Sequence, residues 1–555
     1  MENPAPKNTP KPAGRWRRIT ISAPAMSICA AAFVFFAYNA TYWTKGIEIF
    51  SGHMFLLVGY SLIVYFLTLA FFALFSFRLT VKPFLIIILI LSAATSYYMD
   101  RLGVMIDRDM IQNVVTTTLT ESKHLITADF VTHVVVFGIV PSLMLFFLNV
   151  KKQKPLARFG APLAMFVLSW LIALSLLMGN YKSFSAVARE RKDLLGSYQP
   201  GAPIVGAVRY VKMITRTANS VVMPLGEDAA KGRSYARAKK PVLTIIVAGE
   251  TARSQNFSLN GYARPTNPEL AQKPVISFAN VNSCGTATAV SLPCMFSNFG
   301  RSGYSFERGA GSENLLDVLR HAGFAVEWWD NNTGDKDLAA RIKSRKFTNV
   351  ENAEFCPTGE CDDGIFLQYL KEFAPTITED TVLVLHEIGS HGPTYYLRYP
   401  ESFEKFKPAC HTAEFKSCAP DEIANAYDNT IAYTDHILSQ TIDFLASQKS
   451  LDTSLLYISD HGESLGESGL YLHGTPYFMA PSEQTKVPMI FWMSPEFQTR
   501  FSLLPTCLKA KSNIALSHDN LFHSVLGMLD VTTQDYTSDL DIFATCKSDT
   551  MVAKQ

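Results

Sequence analysis

The chain has 555 residues, more than one ordinary hydrophobic core accommodates, so at least two domains are expected. Lys plus Arg number 50 against 49 Asp plus Glu, and this balance leaves no global basic surface for a nucleic acid partner. Hydrophobic residues make up 48% of the chain but are spread very unevenly, with the long apolar runs confined to the first third.

Five such runs occupy residues 19–43, 53–77, 81–99, 130–150 and 161–179, most with the roughly 20-residue length that crosses a hydrocarbon core. They lack the polar stripe of a buried soluble helix, and the sequence predicts five transmembrane helices. The first run follows RWRR, as a cleaved leader would. It exceeds the roughly 7–15 apolar residues of a leader core, and four more spans follow, so an uncleaved anchor is expected. Residues 1–18 (Lys7, Lys11, Arg15, Arg17, Arg18), the second loop (Arg78, Lys82) and the fourth (Lys151, Lys152, Lys154, Arg158) are basic. The third, residues 100–129, has five acids against three bases. The positive-inside rule then makes 1–18 a cytoplasmic N-terminus and puts everything after the domain 19–179 on the far side.

Cysteine usage agrees. Eight of the nine follow residue 179, an even set suited to an oxidising compartment: Cys284/Cys294, Cys356/Cys361, Cys410/Cys418 and the more widely spaced Cys507/Cys546. Residues 180–240 read as a connector. Within it GAPIVGAVRYVKMITRT has an apolar face flanked by Arg209, Lys212 and Arg216, as in a helix lying at a membrane surface.

From residue 241 to 555 short β-rich runs alternate with helical stretches, the pattern of a layered α/β domain. VLTIIVA leads into Glu250, FAVEWW into DNNTGDK, TVLVL into HEIGSHGP and SLLYIS into Asp460-His461-Gly462-Glu463. In open α/β sheets the carboxyl ends of strands converge on one crevice. Glu250, Asp460 and His461 supply oxygen and nitrogen ligands suited to zinc or manganese. His386, His391 and His473 are candidates for a second metal or the substrate. A hydroxyl beside a divalent metal loses its proton readily, and NSCGTATAVSLPCMFS offers Thr286, Thr288 and Ser291. The residues alone leave all three open.

Taken together, VAGETARSQNFSLNGYARPTNP, SCGTATAVSLPCMFS, DNNTGDK, HEIGSHGPTYYLRYP, NAYDNT and SDHGESLGESGLYLHG resemble the bacterial phosphoethanolamine transferases that decorate lipid A, including the mobile colistin-resistance enzymes. The resemblance covers nearly the whole chain. It implies a five-helix transmembrane domain plus a periplasmic α/β/α sandwich like that of alkaline phosphatases and sulfatases, in the bacterial inner membrane. It makes Thr288 the nucleophile and Glu250, Thr288, Asp460 and His461 the ligands of one tightly bound Zn2+. Asn332, Lys336, His391 and His473 match residues that handle the phosphoethanolamine group or a second zinc. Asn113, Thr117 and Glu121, at a spacing that shares one helix face, match positions that bind the lipid donor. The implied reaction moves phosphoethanolamine from phosphatidylethanolamine to a lipid A phosphate by way of Thr288, releases diacylglycerol and lowers surface negative charge. A monomer is expected. The competing expectations are a core-sugar or glucan acceptor, a phosphatase or sulfatase of the same superfamily, and a non-enzymatic sensor. A Cys/Ser-x-Pro-x-Arg sulfatase motif does not surround Thr288, and a degenerate sensor would lack a ligand that this sequence keeps.

Overall fold

The computed structural model describes residues 19–548, apart from 118, 219–220, 237, 348–349, 351, 353 and 358–359; the basic residues of 1–18 lie outside the described part. Two compact units emerge: Met1–Asp100 with Ala128–Ala202, and Arg101–Thr127 with Pro203–Gln555. The loop 101–127 thus groups with the later residues and not with the spans that flank it in sequence.

Among the described residues, four helices are long and apolar enough to cross a membrane: Met54–Ala73, Val81–Leu102, Ala128–Phe147 and Leu156–Gly179. The first expected span is a broken one, Ala23–Ala37 and Ala40–Ile49 meeting at 66°, and counting the pair as one gives five. Asn39 stands at the break. Its amide donates to the Val34 carbonyl at 2.9 Å, and its carbonyl oxygen accepts from the Gln199 N–H at 2.7 Å. The bend therefore leaves these polar groups satisfied inside an apolar bundle. Leu156, Leu163 and Leu171 face outward, as a lipid-facing surface requires.

The second unit is built on an eight-stranded sheet. In chain order its strands are β1 (Val242–Gly249), β2 (Ile276–Asn282), β3 (Ala325–Asp330), β4 (Lys343–Lys346), β5 (Thr381–His386), β6 (Asp452–Ser459), β7 (Lys486–Met493) and β8 (Leu516–Ser517). They lie side by side as β8-β2-β7-β6-β1-β5-β3-β4. Only β7 pairs antiparallel with its neighbours. The runs VLTIIVA, FAVEWW, TVLVL and SLLYIS are thus parallel strands, and they end on the same edge. β1, β5 and β6 are buried on both faces, which explains their near-continuous apolar sequence.

Side chains alternate between two cores. Ile246, Ala248, Val384, Leu456 and Ile458 face one, with Leu315, Leu316 and Leu319 and with Phe522 and Leu526 of two helices. Ile245, Val247, Leu383, Leu385 and Leu455 face the other, with Ile365, Phe366, Ile423, Ile431 and Leu438. The result is a three-layer α/β/α sandwich. The four expected disulfides are all formed: Cys284–Cys294, Cys356–Cys361, Cys410–Cys418 and Cys507–Cys546.

Candidate functional site

Glu250 directly follows β1 and Asp460 and His461 follow β6, so two hydrogen-bonded neighbours deliver three ligand groups to one point. One ligand atom from each lies within 4.8 Å of the others, and all three residues are fully buried. The loop after β5 closes over them. Gly389 makes this possible: its φ is +48°, and a Cβ there would sit 2.8 Å from the Glu250 carbonyl oxygen.

Each of the three is aimed. Asp460 Oδ1 accepts from the Thr251 and His461 N–H groups at 3.2 and 2.7 Å, while buried Oδ2 has no hydrogen-bond donor within bonding geometry among the described residues. His461 Nδ1 lies 2.9 Å from the Gly462 carbonyl oxygen, which can only accept, so the proton is on Nδ1 and Nε2 offers a lone pair. Asn332 donates to Glu250 Oε2 and to the Glu387 carbonyl, both at 2.7 Å, and fixes the carboxylate plane. Burial, then the neighbouring Asp460 carboxylate, raises the Glu250 pKa, and burial raises that of Asp460. Burial holds His461 well below its ordinary value, as a neutral ligand. Two buried carboxylates, a free carboxylate oxygen and an imidazole lone pair turned to one point fit a divalent cation, whose charge would keep both acids ionised.

Thr288 begins helix α1 (Thr288–Met295). Its Oγ1 lies 3.1 and 3.2 Å from the two Glu250 oxygens and 3.3 Å from His461 Nε2. The other two hydroxyls are committed elsewhere. Thr286 donates to the Thr475 carbonyl at 2.7 Å, and Ser291 donates to the Asp460 carbonyl at 2.5 Å.

A second group surrounds the first more loosely. The His473 ring stands 4.4 Å from that of His461 and 5.8 Å from that of His391. Burial lowers the His473 pKa, but the Glu463 carboxylate, 2.9 Å from its Nδ1, more than offsets this and pushes it up to about 9. Glu463 also accepts from the Tyr395 hydroxyl at 2.7 Å. Burial, then the Arg398 charge, holds His391 well below its ordinary value, and Arg398 Nε donates to the His391 carbonyl at 3.0 Å. Lys336 has a φ of +49° and donates to the Thr333 carbonyl and hydroxyl at 2.8 and 2.7 Å. His386 sits under the site, its Nδ1 2.9 Å from Asp330 and its Nε2 3.9 Å from Glu250.

Asn113, Thr117 and Glu121, expected on one helix face, do not share one continuous helix. The helix Arg108–Thr116 ends where Thr117 turns its hydroxyl to the Asn113 carbonyl at 2.6 Å, and a new helix starts at Leu119. The side chain of Glu121 lies outside the described residues. Helix Arg108–Thr116 packs against α1, which brings Asn113's helix to the helix that Thr288 begins. Residues with no role assigned from the sequence include Glu463, Tyr395 and His518. Glu463 was visible inside SDHGES; the other two carry no local signal.

Residues 243–531, which hold the sheet and this cluster, match the Sulfatase family model, so the second unit is a sulfatase-like domain. Residues 64–214 match the model described as phosphoethanolamine transferase EptA/EptB. The chain is 39% identical over 496 residues to phosphoethanolamine transferase EptA of Escherichia coli (strain K12), covering 88% of this chain and 89% of that one. It is 36% identical over 468 residues to the phosphatidylethanolamine transferase Mcr-1 of Escherichia coli, covering 82% and 85%. The solved structure of the integral membrane lipooligosaccharide phosphoethanolamine transferase A (EptA) from Neisseria meningitidis superposes with a TM-score of 0.91 at 34% identity, covering 95% of this chain and 99% of that one. The chain belongs to the phosphoethanolamine transferase family, a family of membrane-embedded enzymes.

Proposed function

We propose that this enzyme transfers phosphoethanolamine from phosphatidylethanolamine to a lipid A phosphate, with Thr288 as the covalent carrier and its catalytic domain in the periplasm beside the bacterial inner membrane. The observation that carries the reading is the Thr288 hydroxyl, 3.1–3.3 Å from Glu250 and His461, while the neighbouring hydroxyls donate to carbonyls. Zinc would be held by Glu250, Asp460 and His461 with Thr288 Oγ1, and when bound it supplies the positive charge that acidifies the threonine hydroxyl.

Thr288 Oγ attacks the phosphorus of the donor. The new Oγ–P bond forms as the bond from phosphorus to the glycerol oxygen breaks, and that oxygen leaves with a proton as diacylglycerol. The acceptor phosphate oxygen then attacks the same phosphorus from the side the glycerol left, and Thr288 regains its proton. Cationic His473 faces the phosphoryl group, where it neutralises developing charge and stands as proton donor to the leaving oxygen. Lys336 and Asn332 orient the headgroup, and the N–H groups at the start of α1 favour the phosphate oxygens. Asn113 and Thr117 contact the donor lipid.

The amphipathic helix Gly201–Thr217 suits a substrate that stays in the bilayer. Val205, Val208 and Val211 are 47%, 63% and 53% exposed at three-residue spacing, beside Arg209 and Lys212, a face fit to lie on an anionic lipid surface. Mass spectrometry of lipid A from cells with and without the enzyme tests the reading. Added phosphoethanolamine on lipid A, with raised polymyxin resistance, is the expected result. An addition on a core sugar or glucan would keep the donor chemistry and replace the acceptor; no addition anywhere would overturn both.

A further inference from the structure

We propose that His518 is a positioning residue of the transfer reaction: a neutral imidazole that holds the Thr288 loop against the strand end carrying Asp460 and His461. The inference rests on Thr288 being the nucleophile. His518 follows β8, at the edge of the sheet, and is 1% exposed. Its ring bridges two backbone segments that are remote in sequence. Nδ1 lies 3.1 Å from the N–H of Cys284, 234 residues away, and Nε2 lies 3.0 Å from the carbonyl of Ser459, 59 residues away.

Those partners fix the chemistry of the ring. A backbone N–H can only donate and a carbonyl can only accept, so Nδ1 carries the lone pair and Nε2 the proton. An imidazolium would press a second N–H against that of Cys284. Burial also lowers the His518 pKa to about 4, which keeps the ring neutral. Because both its nitrogens are spent on main chain, His518 is no proton relay; its contribution is geometric.

The two segments it joins adjoin the reacting groups. Ser459 directly precedes Asp460, and Cys284 opens the loop that leads to Thr288 and is closed by the disulfide to Cys294. Ser291 Oγ, 3.4 Å from the same Nδ1, adds a parallel tie by donating to the Asp460 carbonyl and accepting from the Gly285 N–H. The approach of Thr288 Oγ1 to Glu250 and His461 therefore depends on how firmly the loop is held to the end of β6. A misplacement of about 1 Å between reacting groups costs roughly a hundredfold in rate.

The test uses the full-length enzyme in detergent, with phosphatidylethanolamine as donor and lipid A as acceptor. His518→Phe keeps a ring and loses both hydrogen bonds. His518→Asn keeps an acceptor toward Cys284, and His518→Gln keeps a donor toward Ser459. The proposal expects kcat of His518→Phe to fall about a hundredfold, with KM for the donor within about twofold, zinc content unchanged and slower labelling of Thr288 when acceptor is withheld. His518→Asn should recover part of the loss. A folded His518→Phe enzyme with wild-type kcat overturns the proposal. Should His518→Phe fail to fold, the Asn and Gln variants decide: lowered kcat at constant KM supports positioning, and wild-type kcat in both overturns it. Failure of all three to fold replaces positioning with a purely structural role. Thr288→Ala is measured alongside, because an active Thr288→Ala enzyme removes the nucleophile reading itself, whereas a dead one beside a fully active His518→Phe removes only this inference.

Discussion

The two groups of side chains in the site are built differently. Glu250, Asp460, His461 and Thr288 stand on the ends of adjacent strands and the first turn of a helix, with Asp460 and His461 oriented by main-chain N–H and C=O groups and Glu250 by the Asn332 side chain. His391, His473 and Lys336 stand on longer loops, with left-handed backbone at Lys336, Asp337, Ser468 and Leu472. The first group is organised in advance around a cation. The second is carried by loop backbone that bends through left-handed positions.

Substitutions should separate the two. Thr288→Ala is the most damaging, lowering kcat by roughly 10⁴-fold or more, as loss of a covalent nucleophile does elsewhere. The phosphoethanolamine adduct found on the Thr288 peptide of the wild-type enzyme, by mass spectrometry after quenching without acceptor, should vanish. Asp460→Ala should release zinc, measured by metal analysis of the purified enzyme, and fall to a similar activity. Lys336→Ala should retain zinc and lose activity by roughly 10–100-fold, mostly through the donor KM. Zinc lost from Lys336→Ala would erase the distinction between the groups.

Two smaller effects probe what holds them together. Replacing Cys284 and Cys294 by Ser should lower stability by about 2–4 kcal/mol, read by thermal unfolding. His518 adds a pH dependence. Its pKa falls from 6.5 in the unfolded chain to about 4 in the fold, so between those values only the unfolded chain takes up the proton. Its stabilising contribution is complete above pH 6.5 and fades as the pH drops toward 4. A His518→Asn enzyme should show a flatter acid limb, and an unchanged limb would show that His518 is not buried neutral.

The strands and the Glu250–Asp460–His461 cluster were legible because a doubly buried parallel strand has to be a continuous apolar run, and its end is where polarity resumes. The choice of hydroxyl was not. It is decided by Thr475 and Asp460, 189 and 169 residues from the threonine and serine they engage, and no local pattern encodes such partners. Periodicity also overran two breaks. Asn39 interrupts the first span, and the β-branched run Thr116-Thr117 ends a helix that spacing alone would continue through Glu121. In both places a polar or branched residue offered the main chain a side-chain partner in place of the next helical turn.

The short pairing of Val531–Thr532 with Ala230–Lys231 sets the order in which this enzyme can be finished. Thr533 and Asp535 extend the seam, the first bonding Asp228 and the second the Gly226 N–H, across 305 and 309 residues. A chain threaded through a membrane from its N-terminus delivers the early side of that seam first and must leave it open until almost the whole domain has crossed. The same holds for β2, whose partners β7 and β8 come more than two hundred residues later in the chain. A chain that ends before residue 531 therefore lacks one side of this seam and leaves the domain unsealed.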